Sequence, residues 1–402
     1  MGEFEGVNII KLNGGTGRQP TNTDAVMAIA ISTPVLPPGI RHNDVVETIQ
    51  LSDIEDLGIN EAYDANTRVL AHYHIAEFYR IAPEGKLYVT FTDETDVSGY
   101  FSDDDVKNAF MAMDDIKRVG FVYNSNDAVP TLDAEIAAAQ LFVNTLAAEK
   151  VLIDGVYLEA RAITSNSTNK RNLDAPNVSL VAFHDPAIAA LHADYQRHAA
   201  VGTVLGSRAV RKVNEDLGSV DIINKPDDKK GNQTYPISDK LIGSFASVAL
   251  SGGELVSTLS TAKKNVITAN GYVYAGSYQG FEGVYLNTEP TCTVIESDYA
   301  FGNNNGVWNK AARGIRLALL PKVKSTLKRD QSTGNLKGST VTALSLIAEK
   351  PIKEMIAADE ISGGSVSIDP NQNPSDQTPF KVSATVVKDG IVFDFEVELG
   401  LR

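Results

Sequence analysis

Cysteine occurs once in the 402 residues, at Cys292, which excludes an intramolecular disulfide and any zinc site built on several thiolates. Long apolar runs are missing too. No stretch approaches the roughly 18 consecutive apolar residues that a membrane-spanning helix needs, so no direct membrane insertion is expected. The opening Met1-Gly2-Glu3-Phe4-Glu5 lacks the basic-then-apolar order of a secretion signal, and the expectation is a chain made and folded in a cytoplasm. Positive charge is in deficit. With 36 Lys and Arg against 51 Asp and Glu, the formal charge is −15, which disfavours nucleic acid and anionic lipid as partners and favours protein.

Glycine is absent where a nucleotide would need it. The turn Thr92-Asp93-Glu94-Thr95 follows one expected strand and Asn124-Ser125-Asn126-Asp127 another, and both place acidic or polar side chains where a phosphate would sit. The loop Asn13-Gly14-Gly15-Thr16-Gly17-Arg18 has glycines but neither the Walker spacing nor a Lys-Ser/Thr pair. His72 and His74 are two apart on an expected helix and point to different faces, while His184, His192 and His198 have no better metal spacing. No G-x-S-x-G elbow occurs, and Asp103-Asp104-Asp105 reads as helix-capping charge. No catalytic residue, cofactor site or metal site is expected.

What is present is ordinary globular composition, 43% apolar and 22% charged, arranged as strands alternating with helices. Strands are expected at 25–31, 86–91, 119–123, 151–158 and 178–183. Helices are expected at 66–81, stopped by Pro83-Glu84-Gly85; after Ser102, with Asp105 completing a capping box; on the face Leu132, Ile136, Ala139, Val143, Leu146; and after Asp185-Pro186. That order implies mostly parallel sheets flanked by helices, an α/β class. Further on, 241–259 reads as helix, 271–275 and 283–286 as strands, and Trp308, Ala312, Ile315, Leu319, Val323 and Leu327 as one apolar helical stripe kinked at Pro321. Residues 341–347 read as strand and 353–358 as a short helix. The organisation expected is an N-terminal strand arm at 1–32, an α/β domain at 33–236 and a C-terminal α/β domain at 237–402, with the polar loop 226–236 as the boundary.

Both termini are strand-like. Ile391, Phe393, Phe395, Val397, Leu399 and Leu401 alternate with Asp394, Glu396 and Glu398, a strict period of two. The segment 380–387 precedes it across Lys388-Asp389-Gly390, so a closing hairpin over 380–401 is expected. An eleven-residue strand is about 36 Å long, and a free edge of that length must be covered by the body or by a partner. Val7, Ile9 and Leu12 lie in a short apolar segment isolated by the glycine loop, a second candidate pairing strand.

The runs Gly283-Val284-Tyr285-Leu286-Asn287-Thr288-Glu289-Pro290-Thr291, Ser297-Asp298-Tyr299-Ala300, Trp308-Asn309-Lys310-Ala311-Ala312-Arg313-Gly314-Ile315-Arg316 and Asp369-Pro370-Asn371-Gln372-Asn373 resemble the C-terminal core of contractile-tail sheath proteins of phages and phage-derived injection systems. The resemblance is strongest over residues 270–402. It implies a structural, non-catalytic subunit that polymerises helically with itself around an inner tail tube protein, with baseplate and terminator proteins at the ends. Terminal strands would be exchanged between neighbours, and contraction would drive the tube through a target envelope. It also makes Lys310, Arg313 and Arg316 candidate tube or subunit contacts, on a helix expected to turn its apolar stripe inward. From Tyr299 to Arg329 there are seven bases and no acid. The competing expectation is a soluble α/β enzyme or ligand-binding protein whose site the sequence does not reveal.

Overall fold

In the computed structural model, residues 9–10, 23–113, 115–123, 132–372 and 378–399 are described. The chain forms two compact units, Met1–Gly306 and Val307–Arg402. The expected division at 236/237 is therefore misplaced. Residues 237–306 belong to the first unit because β10 (below) joins its main sheet, and Tyr235 in the supposed linker is tied down by its hydroxyl, 2.6 Å from the Ile81 carbonyl.

The first unit opens with β1 (Ile9–Ile10), β2 (Val26–Ser32) and β3 (Val45–Thr48), then α1 (Ser52–Glu55), α2 (Glu61–Thr67), α3 (Ala71–Ile81) and β4 (Lys86–Thr92). It continues through α4 (Val97–Ser102), α5 (Asp104–Ala112), β5 (Arg118–Val122), α6 (Leu132–Ala148), β6 (Gly155–Glu159) and β7 (Val178–Val181). Next come β8 (Phe183–His184), α7 (Pro186–Ala189), α8 (Val201–Ala209), β9 (Ala249–Leu250), α9 (Thr261–Ala269), β10 (Tyr272–Val273), β11 (Ala275–Gly276) and β12 (Tyr285–Leu286).

One sheet runs β1-β3-β4-β2-β5-β6-β7-β10, with every neighbouring pair parallel except β3–β4. All seven residues of β2 are buried, as a strand covered on both faces requires. Residues 26–32 are thus the centre of the core rather than part of an arm. Omitting the edge strands, the order β4-β2-β5-β6-β7 is the second-first-third-fourth-fifth arrangement of a doubly wound sheet. The mostly parallel α/β reading holds.

The helix α8, which periodicity did not reveal, is buried over all nine residues. Gly202 and Gly206 let it lie directly on α3. A Cβ at Gly202 would overlap the His74 carbonyl, and one at Gly206 would stand 2.8 Å from that of Phe78.

Other expectations need adjusting. The helix expected over 66–81 is split at Arg68, which takes a left-handed conformation at the end of α2. Asp103 rather than Ser102 caps α5, accepting from the Asp105 amide at 2.8 Å; this does give the acidic triplet its capping role. Residues 241–259 form no α-helix, only a 3-10 turn at Val256–Thr258, because Gly243, Phe245 and Gly253 have positive φ and interrupt any longer run.

The boundary between the units falls within α10 (Gly302–Leu319). The second unit contains most of α10, a short 3-10 turn at Leu320–Lys322 where Pro321 sits, α11 (Gly338–Ala357), β13 (Gly363–Ser367) and β14 (Ser383–Val387). Residues 341–347 are helix rather than strand: Leu344, Ala348, Ile352 and Met355 are buried at helical spacing, and the expected short helix at 353–358 is the end of α11. Thr340, Val341 and Thr342 at its start are β-branched and favour a strand locally, and the burial of the helical face overrides them.

Candidate functional site

A doubly wound sheet binds ligands outside the carboxyl ends of its strands, where the order reverses, here beside β2 and β5. In this chain its own side chains occupy that position. Tyr100 of α4 is buried against Phe121, ring centroids 5.2 Å apart and edge-on. Ser32 Oγ donates to the Glu94 carbonyl at 2.6 Å. Glu159, buried at the end of β6, accepts from the amides of Tyr123 (2.7 Å) and Ala199 (2.9 Å) and pairs with Arg161 at 3.0 Å. Burial pushes the Glu159 carboxyl above the usual range and the Tyr100 and Tyr123 phenols well above theirs. Among the described residues the crevice is a packed polar plug. The turn at 124–127 and the glycine loop at 13–18 lie outside the described residues.

His72 and His74 point apart, as their spacing predicts. His72 is apart, its Nε2 2.9 Å from Glu55 Oε1. His184 and His198, however, stack at 4.8 Å and 15°, and His74 lies 6.5 Å from His198 by ring centroids. No spacing rule finds this, because three separate elements supply the rings.

A second buried network fixes the end of the first unit. Glu289 is fully buried; Arg118 Nη1 lies 2.7 Å from its Oε1, Tyr157 donates to the same oxygen at 2.7 Å, and Arg208 stands 3.8 Å from Oε2. Gly302, at the start of α10, packs so closely on this carboxylate that a Cβ would overlap it, and its carbonyl accepts from Arg118 Nη2 at 2.7 Å. The buried Asn303, Asn304 and Asn305 extend the grip by donating to the carbonyls of Asn214, Asp298 and Pro176. Glu289 lies in the run singled out for its family resemblance, but nothing in the sequence marks it as the centre of a charge network.

In the second unit β13 and β14 form an antiparallel pair, Gly363 opposite Val387 through Ser367 opposite Ser383. Among the described residues the expected hairpin of 380–387 with 391–401 does not form. Asp389 instead accepts from Ser362 Oγ at 2.5 Å, next to the last rung of β13–β14, and residues 391–399 form no strand. The alternating side chains are consequently in water: Phe393 63%, Phe395 81%, Val397 80% and Leu399 89% exposed, with Ile391 half-buried. At the other end, Ile9 and Ile10 pair parallel with Val45 and Val46, so this part of the N-terminal segment is an edge of its own sheet. Val7, Leu12 and Leu401 lie outside the described residues.

The basic residues also separate. Lys310 is part-buried, 2.6 Å from Glu360, and Arg313 is half-buried; only Arg316 of the three is exposed. The expected stripe does not face inward either, since Trp308 is 52% exposed and Val323 63%, while Val307 and Ala311 are buried instead. The exposed bases run on through Lys322, Lys324, Lys328 and Arg329.

A doubly wound unit with a filled crevice, followed by a small helical unit carrying an open two-stranded sheet and an uncovered apolar tail, is a fold shared with contractile sheath proteins. A chain of the anti-feeding prophage helical sheath in its contracted state matches with a TM-score of 0.62 at 12% identity, over 100% of this chain and 99% of that one. A chain of the contracted sheath complex of PVC, an extracellular contractile injection system, matches at 0.59 and 10%, over 100% and 98%. The sheath tail protein of Desulfitobacterium hafniense matches at 0.50 and 11%, over 94% and 100%. The chain itself belongs to the DUF2586 family, whose N-terminal domain matches residues 4–289 and whose C-terminal domain matches residues 298–402. No curated protein sequence matches it.

Proposed function

We propose that the protein is the sheath subunit of a contractile injection particle, assembled in a bacterial cytoplasm into a helical homopolymer around an inner tube, with baseplate and terminator proteins at its ends. Its role is structural rather than catalytic. The observation that carries this reading is the exposed alternating segment 391–399 in the same unit as the open β13–β14 sheet, in a chain of sheath fold. Ile391, Phe393, Phe395, Val397 and Leu399 would add as a strand to the β13–β14 sheet of a neighbouring copy, and Val7, Ile9 and Leu12 would supply the N-terminal link. A strand exchange that does not close on itself builds a helix, the geometry a sheath requires. Contraction then rearranges subunit contacts while the strand links hold the lattice together.

The tube-facing surface of this reading is centred on Arg316, Lys322, Lys324, Lys328 and Arg329 rather than on Lys310, which is engaged by Glu360. Exposed pairs are worth about 0–1 kcal/mol each, so the tube would be held by many repeated contacts and loosened by salt.

Negative-stain microscopy of the full chain, with and without residues 391–402, tests the proposal. Tubes or rings from the full chain and dispersed, folded particles from the truncation are expected. Dispersed particles from both, or tubes from both, would remove the terminal strand from assembly.

A further inference from the structure

The buried histidines of the first unit have no part in the reading above, and their geometry is specific. His74 (α3) accepts at Nδ1 from the Gly202 amide of α8, at 3.3 Å. His198, three residues before α8, is hydrogen-bonded through Nδ1 to the Tyr195 carbonyl at 2.6 Å, and His184 of β8 through Nδ1 to the His198 carbonyl at 3.0 Å. With carbonyls as partners, those two Nδ1 atoms must carry the proton and donate. The role of each Nδ1 is thereby fixed, as donor in His184 and His198 and as acceptor in His74. The Nε2 atoms of His74 and His198 and the Nε and Nη1 of Arg161 are buried with no hydrogen-bond partner among the described residues.

We propose that His74, His198 and His184 form an acid-sensitive latch that joins α3, β8 and α8, with His184 as the port through which a proton enters. His184 lines an open cavity of about 430 Å³ together with Pro186, Arg197 and Leu255, and it stacks on His198, which in turn faces His74. Protonating His74 turns its Nδ1 from acceptor into donor, so that it opposes the Gly202 amide. Protonating His198 adds a buried N–H with nothing to accept it. Both events place a cation near the Arg161 guanidinium.

Burial holds His74 down at about 3 and His198 well below the ordinary imidazole value, with Arg161 contributing to both; burial also lowers His184. The unfolded chain, with imidazoles near 6.5, therefore takes up protons that the folded chain refuses. Latch stability is complete above about pH 6.5 and falls as the pH drops toward about 3. The other groups facing the cluster are Glu159 beside Arg161, Tyr123 from the end of β5, Glu77 and Tyr73 from α3, and Asp185 beside His184. Glu159 and the nearby Asp64, whose carboxyl burial pushes up to about 6, act in the opposite sense, because the folded chain protonates them more readily.

The experiment compares urea unfolding of the full chain between pH 8 and 4 with that of the triple variant His74→Gln, His184→Gln, His198→Gln. The difference between the two profiles isolates the histidines from the carboxyl groups. The wild type is expected to lose stability more steeply below pH 6.5, by up to about tenfold in unfolding constant per pH unit for each histidine that stays neutral in the fold. Parallel profiles would overturn the latch. If the variant fails to fold, histidine ¹⁵N resonances of the wild type decide. Three rings neutral until the onset of acid unfolding sustain the proposal, and three rings protonated in the folded chain at pH 5 overturn it.

Discussion

Arg118 Nη1 lies 2.7 Å from Glu289 Oε1, and both side chains are buried, so the strand β5 and the approach to α10 are joined by an ion pair without solvent. Removing one partner strands the other charge, which costs about 3–5 kcal/mol in such settings. Glu289→Ala and Arg118→Ala are each expected to lower the urea midpoint sharply, and the double variant to cost less than their sum. Additive losses would show that the two charges are not coupled.

The contact of α8 with α3 predicts a strong response to one methyl group. Gly202→Ala has to displace the His74 backbone, and overpacking of this kind costs about 1–3 kcal/mol or more. Gly253→Ala is the contrasting substitution, since it has open space around it and only its positive φ to resist the change. Thermal unfolding of the two variants should rank Gly202→Ala as the more damaging.

Cys292 is buried, and burial pushes its thiol up to about 12. At pH 8 the native chain is expected to resist maleimide, with one equivalent reacting after denaturation. Rapid native labelling would mean that the Cys292 environment opens on the time scale of the assay.

Substitutions in the tail should separate folding from assembly. Phe395→Asp and Val397→Asp alter side chains that are already in water, so the melting temperature of the dispersed chain should hold within about 0.5 kcal/mol equivalent while polymer yield falls. Unchanged polymer yield would place the neighbour contact elsewhere.

Charge reversal should likewise distinguish two bases that look alike in sequence. Lys310→Glu faces Glu360 with a like charge and is expected to destabilise the second unit, whereas Arg316→Glu, on the surface, is expected to leave stability intact and weaken assembly. A stable Lys310→Glu would show that the pair with Glu360 contributes little.

The parallel sheet was legible because its strands are short apolar runs separated by helices with clean faces, and β2, β4 and β5 fall where periodicity puts them. The small residues that define α8 carry no amphipathic signal, since a helix buried on every side has no polar face to contrast with. The terminal segment shows the complementary limit. Its period of two predicts a half-buried strand and a local hairpin, but residues 391–399 form no strand and β14 pairs with β13, some twenty residues upstream. The bases of α10 show the same limit. Helical spacing places Lys310 off the apolar stripe, but only tertiary structure brings Glu360 to it.

The acids in the tail bear on how a subunit avoids its own kind before assembly. Asp394, Glu396 and Glu398 alternate with apolar residues exposed enough to stack into cross-β aggregates. Two such tails laid in register would bring three carboxylates against three, rung by rung, and repel. The strands β13 and β14 contain no charged residue, so a tail meeting that sheet meets no such opposition. In the proposed assembly the same side chains would bias the tail away from other tails and toward a sheet edge, a gatekeeping arrangement whose strength would fall as salt screens it.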